Sequence, residues 1–153
     1  MKKLKVFVDA DACPVTKEII HISGTFQLPV CIIKSYDHFS AEQLPAHVET
    51  FYVDKGADMA DFEIVRRADK GDLIVTQDYG LASLLLGKGC HVMHHRGFMY
   101  TKHNIDRLLA NRHYSQMARR AGERTKGPKA FTDDNRREFE LFFTDMLKKI
   151  TIN

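Results

Sequence analysis

The sequence predicts a three-layer α/β/α fold in which helices cover both faces of a central, mainly parallel, five-stranded sheet. Short apolar, β-branched runs alternate with helix-like stretches over residues 1–95, and this alternation is typical of βαβ units. The run at residues 29–33 is continuously apolar, as expected of a strand that is buried on both faces. Because crossovers between parallel strands are right-handed, the predicted strand order is 3-2-1-4-5.

Size and composition indicate a single domain. The chain has 153 residues, of which 44% are apolar, and no apolar run approaches the ~20 residues of a membrane-spanning helix. The N-terminus lacks the features of a secretory signal. Cys13, Cys31 and Cys90 are widely spaced, which favours neither a disulfide framework nor a zinc site. We therefore expect a cytoplasmic protein without a membrane segment.

The five predicted strands span residues 6–8, 29–33, 48–53, 72–76 and 90–93. The first three of them, with one helix, lie in the first half of the chain. Polar residues interrupt the third strand, so we expect it near the edge of the sheet. Pro14 suits the first turn of a helix, and this helix is predicted to end near Gly24. The polar stretch 36–46 is predicted to be mostly loop.

Four helices are predicted after the third strand. The second helix of the fold follows Gly56 and stops at residues 70–71, with Phe62, Val65 and Ala68 predicted to face inward. A short apolar helix covers residues 81–86. The segment 96–130 is predicted to be a basic helix and loop, and the segment 131–153 a packing helix. The apolar stripe of this last helix is Phe139, Phe142, Phe143, Met146, Leu147 and Ile150.

Aspartates follow the strands that the predicted order places side by side. Asp9 and Asp11 close the first strand, Asp78 follows the fourth, and Asp58 and Asp61 lie at the start of the second helix. Open α/β folds bind ligands at this edge of the sheet. Neighbouring carboxylates repel one another unless a cation or a proton intervenes, and Mg²⁺ prefers oxygen ligands. The sequence therefore predicts a metal site, with Asp9 as the strongest candidate ligand.

Several of these residues also have a purely structural interpretation. Asp11, Asp58 and Asp78 each precede a predicted helix and could serve as caps or turn formers. His94 and His95 follow the fifth strand, where they either orient metal ligands and move protons or are ordinary surface histidines, and we favour the second interpretation. Cys13 is expected to be a small packing residue rather than a nucleophile.

The charge is unevenly distributed along the chain. The net charge is −3 over residues 1–95, +7 over residues 96–129 and −1 over residues 130–153. Such asymmetry suggests a polyanionic partner. A solvated helix face would explain part of the basic segment, but its glycine-flanked loop is suited to phosphate contacts. The candidate phosphate-binding residues are Arg119 and Arg120, with Arg112 on the same helix, and Arg124, Lys126 and Lys129 in the loop.

Four sequence blocks, in order along the chain, resemble the YaiI/YqxD family of bacterial proteins. They are VDADACPV at 8–15, GADMAD at 56–61, TQDYGLA at 76–82 and GERTKGPK at 122–129. The resemblance runs nearly end to end. That family is in turn similar to PIN-like (NYN/PIN) nuclease domains, which carry aspartates at the first strand, on a central helix and after the fourth strand, and bind Mg²⁺ or Mn²⁺.

The resemblance implies a single PIN-like domain over residues 1–153 that uses a metal ion to hydrolyse phosphodiester bonds. It does not supply the substrate, which we expect to be RNA rather than DNA. Its implied metal ligands are Asp9, Asp58, Asp61 and Asp78, and Asp11 is a further catalytic candidate. Thr76, His94 and His95 are candidates to contact these ligands without binding the metal themselves. The expected cofactor is Mg²⁺ or Mn²⁺ and the expected partner is nucleic acid. The sequence leaves the oligomeric state open, a homo-oligomer included.

Two other functions compete with this hypothesis. A haloacid-dehalogenase-type phosphatase would use Asp9 as the phosphorylated nucleophile, Asp11 as acid and base, and Thr76 to bind phosphate. The later pair of acidic metal ligands found in that family is not evident in this sequence, so this hypothesis ranks second. The other alternative is a non-catalytic RNA-binding protein in which the aspartates are structural.

Overall fold

The computed structural model describes residues 3–56, 58–122 and 130–152, without the side chains of residues 112–116. The strands are β1 (Val6–Asp9), β2 (Val30–Ser35), β3 (Val48–Val53), β4 (Leu73–Val75), β5 (His91–His94) and β6 (Phe98–Met99). The helices are α1 (Thr16–Thr25), α2 (Met59–Arg67), α3 (Tyr79–Gly87), α4 (Lys102–Arg120) and α5 (Asp133–Thr151). Two single-turn 3₁₀ helices span Ala10–Ala12 and Tyr36–His38.

The sheet has the order β3-β2-β1-β4-β5-β6. The pairings from β3 to β5 are all parallel, so the predicted order 3-2-1-4-5 is confirmed. The prediction of five strands is one short, because β6 pairs antiparallel with β5 at the far edge. Two residues are too few to give an alternating pattern, and Gly97, whose φ is +90°, provides the tight turn that returns the chain.

The core lies on both faces of the sheet, as a three-layer fold requires. Successive residues of β1 point to opposite faces, so Val6 and Val8 pack against α1 and α5, whereas Phe7 packs on the side of α2, α3 and α4. All three side chains are completely buried. The architecture is the α/β fold predicted from the sequence and is consistent with a PIN-like domain.

The inward face of α2 differs from the prediction. Phe62 is exposed, whereas Ile64 and Ala68 are fully buried and Val65 is half-buried. Ile64 and Ala68 are four residues apart and so share a face of the helix, and Phe62 lies two residues earlier on the opposite side. The predicted stripe of α5 is confirmed, since Phe139, Phe143 and Leu147 are buried against the sheet.

Helix α5 is tied to the turn that follows β1. The Arg136 guanidinium donates to the carbonyl oxygen of Pro14 at 2.7 Å and to the Glu18 carboxylate at 3.0 Å. The Arg136 guanidinium also lies 5.3 Å from the ring centre of Phe131. These contacts fix the chain immediately beyond Asp9 and Asp11 against the C-terminal helix.

The three cysteines are free thiols, in agreement with the prediction. Within the described ranges, none of the helices combines the length and the apolar character needed to cross a bilayer.

Candidate functional site

Thr76 joins the ends of two neighbouring strands. Strands β1 and β4 are paired with Val8 opposite Val75, so Asp9 and Thr76 follow side by side at the same edge of the sheet. The Thr76 hydroxyl donates to Asp9 Oδ2 at 2.8 Å and accepts a hydrogen bond from the Asp78 backbone N–H at 3.0 Å. One buried hydroxyl therefore orients the Asp9 carboxylate and fixes the start of the turn that carries Asp78.

Tyr100 supports this turn from the core. Its hydroxyl donates to the Thr76 carbonyl oxygen at 3.0 Å, and the ring is almost completely buried. Burial raises the pKa of Tyr100, with smaller contributions from the charges of Asp78 and Asp9, so the phenol stays protonated and remains a donor. The sequence analysis missed Tyr100 because it lies outside the aspartate-containing blocks.

Asp78 both caps a helix and belongs to a group of four aspartates, Asp9, Asp58, Asp61 and Asp78, which we call the acidic cluster. Its Oδ1 accepts a hydrogen bond from the Leu81 N–H in the first turn of α3, as the capping interpretation predicted. It also lies close enough to Asp61, at the start of α2, for its charge to raise the pKa of that carboxyl group. Asp58, by contrast, sits at the N-terminus of α2 with a φ of 67°, and its side chain makes no capping hydrogen bond.

Burial, together with repulsion between the carboxylates, raises the pKa values of two residues of the cluster. The pKa of Asp61 is raised from 3.8 to about 6, first by burial and then by the negative charges of Asp78, Asp9 and Asp58. Burial also raises the pKa of Asp9; the Thr76 hydrogen bond opposes this effect, and the charges of Asp78 and Asp11 add to it. Both effects disfavour the charged form of these carboxyl groups, and a proton or a cation would relieve them.

The donor chemistry of this cluster suits Mg²⁺ or Mn²⁺. In the part of the chain that the structure describes, no three His, Cys, Asp or Glu side chains are arranged so that they could hold a metal ion together. Mg²⁺ retains several waters and is usually bound by one or two carboxylates, so two carboxylates of this cluster would meet its requirement. A cavity of about 300 Å³ lined by Asp9, Gln77, Asp78 and Tyr79 leaves room for a hydrated ion.

Asp11 is held apart from the other carboxylates. The Ser35 backbone N–H at the end of β2 donates to its Oδ1 at 3.0 Å, and His38 Nδ1 lies 2.7 Å from the same oxygen. The interpretation of Asp11 as the cap of α1 is wrong, since Val15 occupies that position and no side chain caps the helix. Asp11 instead links the 3₁₀ turn after β1 to the end of β2.

His94 and His95 are not the surface histidines that we favoured from the sequence. Their exposed fractions are 8% and 9%, because β6 folds back over the end of β5. The centres of the two imidazole rings are 4.2 Å apart, and His94 also stacks on Phe98 with ring centres 4.9 Å apart. Burial is the main cause that lowers the pKa of each to about 4, so both are neutral at physiological pH. Their ring contacts are with aromatic residues rather than with the carboxylates.

The remaining candidates are described only in part. Cys13 is half-buried against the core, and burial raises the pKa of its thiol, as befits a packing residue. Arg119 and Arg120 lie in the last turn of α4 with exposed side chains. Arg124, Lys126 and Lys129, and the side chain of Arg112, lie outside the described residues, so their predicted role in phosphate binding stays a prediction.

Comparison with known proteins identifies the family. A model described as an uncharacterized BCR of the YaiI/YqxD family matches residues 7–149. The chain belongs to the YaiI/YqxD family. The predicted membership is thus confirmed over nearly the whole sequence. The matched residues include β4 and most of β1, the two strands whose carboxyl-terminal ends form the acidic edge of the sheet.

Relatives of similar length support the same assignment. A UPF0178 protein of Oceanobacillus iheyensis is 55% identical over 146 residues, which are 95% of this chain and 100% of the relative. UPF0178 proteins of Bacillus thuringiensis and Bacillus mycoides are 52% and 51% identical, each over 94% of this chain and 99% of their own length. No solved structure matches the chain. Membership of the YaiI/YqxD family therefore comes without an assigned activity.

The raised pKa of Asp61 predicts a specific dependence of stability on pH. Because the native pKa lies above the unfolded value, the contribution of Asp61 to stability is complete below about pH 4 and is lost as the pH rises through about 6. Asp61→Asn should remove this loss. After allowance for solvent screening, we expect the variant to gain on the order of 1 kcal/mol at pH 7.5, or about 2–4 °C in Tm.

Thermal unfolding in excess chelator between pH 4.5 and 8 measures this difference. The matched control is Asp145→Asn, which changes an exposed aspartate of α5 that is paired with Lys149. A Tm difference between Asp61→Asn and the parent that does not grow with pH would contradict the electrostatic description of the cluster.

Proposed function

We propose that this protein is a divalent-metal-dependent phosphodiester hydrolase that acts on nucleic acid in the cytoplasm, with RNA ahead of DNA as its substrate. The main support is the cluster of mutually repelling carboxylates, Asp9, Asp61 and Asp78, at the carboxyl-terminal edge of β1 and β4. Such an arrangement costs stability in the metal-free protein, and a bound cation would relieve it. Open α/β sheets bind ligands at this edge.

Each residue of the cluster has a distinct task in this proposal. Asp9 would hold Mg²⁺ or Mn²⁺ together with Asp61 or Asp78, and Asp58 is close enough to add its charge. A bound ion would supply Lewis acidity at the phosphate and lower the pKa of a water molecule to be used as nucleophile. Asp61, whose pKa is about 6, would be ionised at pH 7.5 and available as a ligand.

The hydrogen bonds of the site keep the donor atoms in place during this exchange. Thr76 holds Asp9 Oδ2 in one orientation, and the N-terminal turn of α3 holds Asp78 Oδ1. The buried Tyr100 hydroxyl prevents the Thr76 backbone from turning away. Preorganised carboxylates of this kind lose little conformational entropy when they bind a ligand.

The contacts around Asp11 and Thr76 place the phosphatase hypothesis second. A phosphatase of that type needs Asp11 as a mobile acid and base, yet Asp11 is bound to Ser35 and His38. It also needs the Thr76 hydroxyl for phosphate, but this hydroxyl donates to Asp9. Trapping of Asp9 either as an acyl-phosphate or as a fluoride adduct would instead favour the phosphatase hypothesis.

The proposal that the substrate is nucleic acid draws on the basic segment. Residues 96–129 carry a net charge of +7, and Arg119 and Arg120 contribute exposed guanidinium groups at the end of α4. Guanidinium groups bind phosphate with two parallel hydrogen bonds, and several such contacts hold a nucleic-acid backbone. We propose that Arg124, Lys126 and Lys129 act in the same way.

Replacing Asp9 should separate metal binding from folding. For the parent protein at pH 7.5, Mn²⁺ at a hundredfold excess over its Kd should raise Tm by roughly 5–10 °C. Asp9→Asn should lose most of this shift and lower metal-dependent cleavage of RNA by at least about a hundredfold, because it removes a ligand charge. Asp145→Asn, an exposed change on α5, should behave as the parent does.

An Asp9→Asn variant that cleaves RNA as fast as the parent would overturn the proposal. RNA binding with no cleavage by the parent in Mg²⁺ or Mn²⁺ would instead support the non-catalytic alternative.

Replacing the three basic loop residues should change the salt dependence of binding. Each phosphate contact to a single strand contributes about −0.7 to the slope of log K against log salt. We therefore expect the Arg124→Ala, Lys126→Ala, Lys129→Ala triple variant to reduce the steepness of this slope by about 2. Fluorescence anisotropy with labelled RNA between low and physiological salt measures it.

The control for the triple variant is Lys148→Ala with Lys149→Ala, which removes two cations from the last turn of α5. A slope that falls equally in both variants would show only a general effect of net charge, and would contradict a specific phosphate-binding role for the loop.

A further inference from the structure

A groove of about 700 Å³ lies beside the acidic cluster. Its floor is formed by paired residues of β2 and β3, with Ile32 opposite Thr50 and Lys34 opposite Tyr52. Helix α1 forms one wall, and the loop over residues 38–45 forms the other. The volume is within the range of small-molecule and nucleotide sites.

Two aromatic rings, Phe39 and Tyr52, line this groove, and a third, Tyr36, packs on Tyr52 beside it. Tyr52 stacks on Tyr36 with ring centres 5.6 Å apart and an interplanar angle of 17°, and it lies 5.2 Å from the ring of Phe39. Tyr36 and Phe39 come from the 3₁₀ helix after β2 and the residue that follows it. The loop therefore brings two aromatic rings onto a third that is fixed in the sheet.

Packing explains only one of these rings. The Tyr52 hydroxyl is within 3.3 Å of both the backbone N–H and the carbonyl oxygen of Ser40, so this residue anchors the loop. Tyr36 and Phe39, however, expose 59% and 66% of their surface. Exposed aromatic rings contribute little to folding, and such rings arranged in a stack provide a platform for another flat ring.

The charges of the groove suit a phosphate-bearing ligand. Lys17 and Lys34 line it, and neither has a carboxylate partner within 4 Å among the described residues. Lys34 lies 5.7 Å from the ring centre of Tyr52, so a cation and an aromatic platform are adjacent. Of the lining carboxylates, Asp11 is already bound to His38, whereas Glu42 is exposed on the loop.

The turn after β1 connects the groove to the acidic edge. Ala10 and Asp11 line it, and they directly follow Asp9 in the same 3₁₀ turn. The hydrogen bond between Asp11 and His38 joins this turn to the aromatic loop. A polymer lying in the groove would therefore continue towards the carboxylates.

We infer that this groove binds a single-stranded segment of nucleic acid, with bases stacked on Tyr36 and Phe39 and phosphates near Lys17 and Lys34. The inference rests on the proposed function for the identity of the polymer and extends it to the form of the substrate. Bases within a duplex are already stacked on their neighbours, so an aromatic platform selects unpaired strands. The groove would thus hold the strand while its backbone passes the acidic edge.

Binding measured separately from cleavage tests this inference. The probe is a 5′-fluorescein-labelled single-stranded RNA of about 12 nucleotides, a length that covers one such binding site. Anisotropy is recorded with Asp9→Asn protein in chelator, so that no substrate is consumed. Tyr36→Ala with Phe39→Ala in this background should raise Kd about 5- to 150-fold, the range for losing one stacked base.

Two controls keep the result specific. Leu141→Ala removes an apolar side chain that is 75% exposed on α5 and should leave Kd unchanged. A blunt duplex of the same sequence should bind more weakly than the single strand, and its Kd should respond little to the double variant. Equal melting temperatures of the variants exclude unfolding as the cause.

The outcomes distinguish the groove from the metal centre. A Kd for single-stranded RNA that the double variant leaves unchanged, or the absence of measurable binding by Asp9→Asn protein at low salt, would overturn the inference even if the parent cleaves RNA. Loss of binding in the double variant would support it, even if no metal-dependent cleavage is found and the proposed hydrolase activity fails.

Discussion

Repulsion between carboxylates at the ends of β1 and β4 is the constraint around which the rest of the site is built. The parallel pairing of these strands brings Asp9 and Asp78 to one edge, and the start of α2 adds Asp61. Among the described residues, the Thr76 hydroxyl donates to Asp9, and the Tyr100 hydroxyl donates in turn to the Thr76 carbonyl oxygen. A neutral donor of this kind orients a carboxylate without neutralising its charge.

Much of the fold could be predicted from the sequence, since apolar periodicity and the handedness of crossovers are local or general rules. These rules predicted the order from β3 to β5 and the apolar stripe of α5. They missed β6, whose two residues show no pattern, and its pairing with β5 is what buries His94 and His95. They also put Phe62 on the wrong face of α2, because the phase of a short helix depends on where it begins.

The candidate site was predictable to the extent that it depends on strand order. The positions of Asp9 and Asp78 follow from adjacent strands, whereas the environment of Asp11 depends on a contact with His38, which is distant in sequence. The support from Tyr100 likewise depends on how the chain returns after β5. Contacts of this kind come from tertiary packing, and no pattern in a single segment predicts them.

In the two proposals, the acidic edge and the groove over β2 and β3 have different roles on one surface. The edge would bind a cation through its carboxylates, and the groove has exposed rings and lysines that a single strand would cover. The 3₁₀ turn Ala10–Ala12 connects the two, and Arg136 fixes the chain just beyond it to α5. In this proposal the C-terminal helix supports the site by holding this turn in place.

The most direct measurement is anomalous diffraction from a crystal soaked in Mn²⁺ at pH 7.5, where Asp61 is ionised. We expect a peak of anomalous density within coordination distance, about 2.0–2.2 Å, of Asp9 and of at least one of Asp61 and Asp78. We also expect this peak to be absent from Asp9→Asn crystals treated in the same way. A parent crystal with no density between these carboxylates at millimolar Mn²⁺, or with Mn²⁺ bound only elsewhere, would contradict the proposal of a metal centre at this edge.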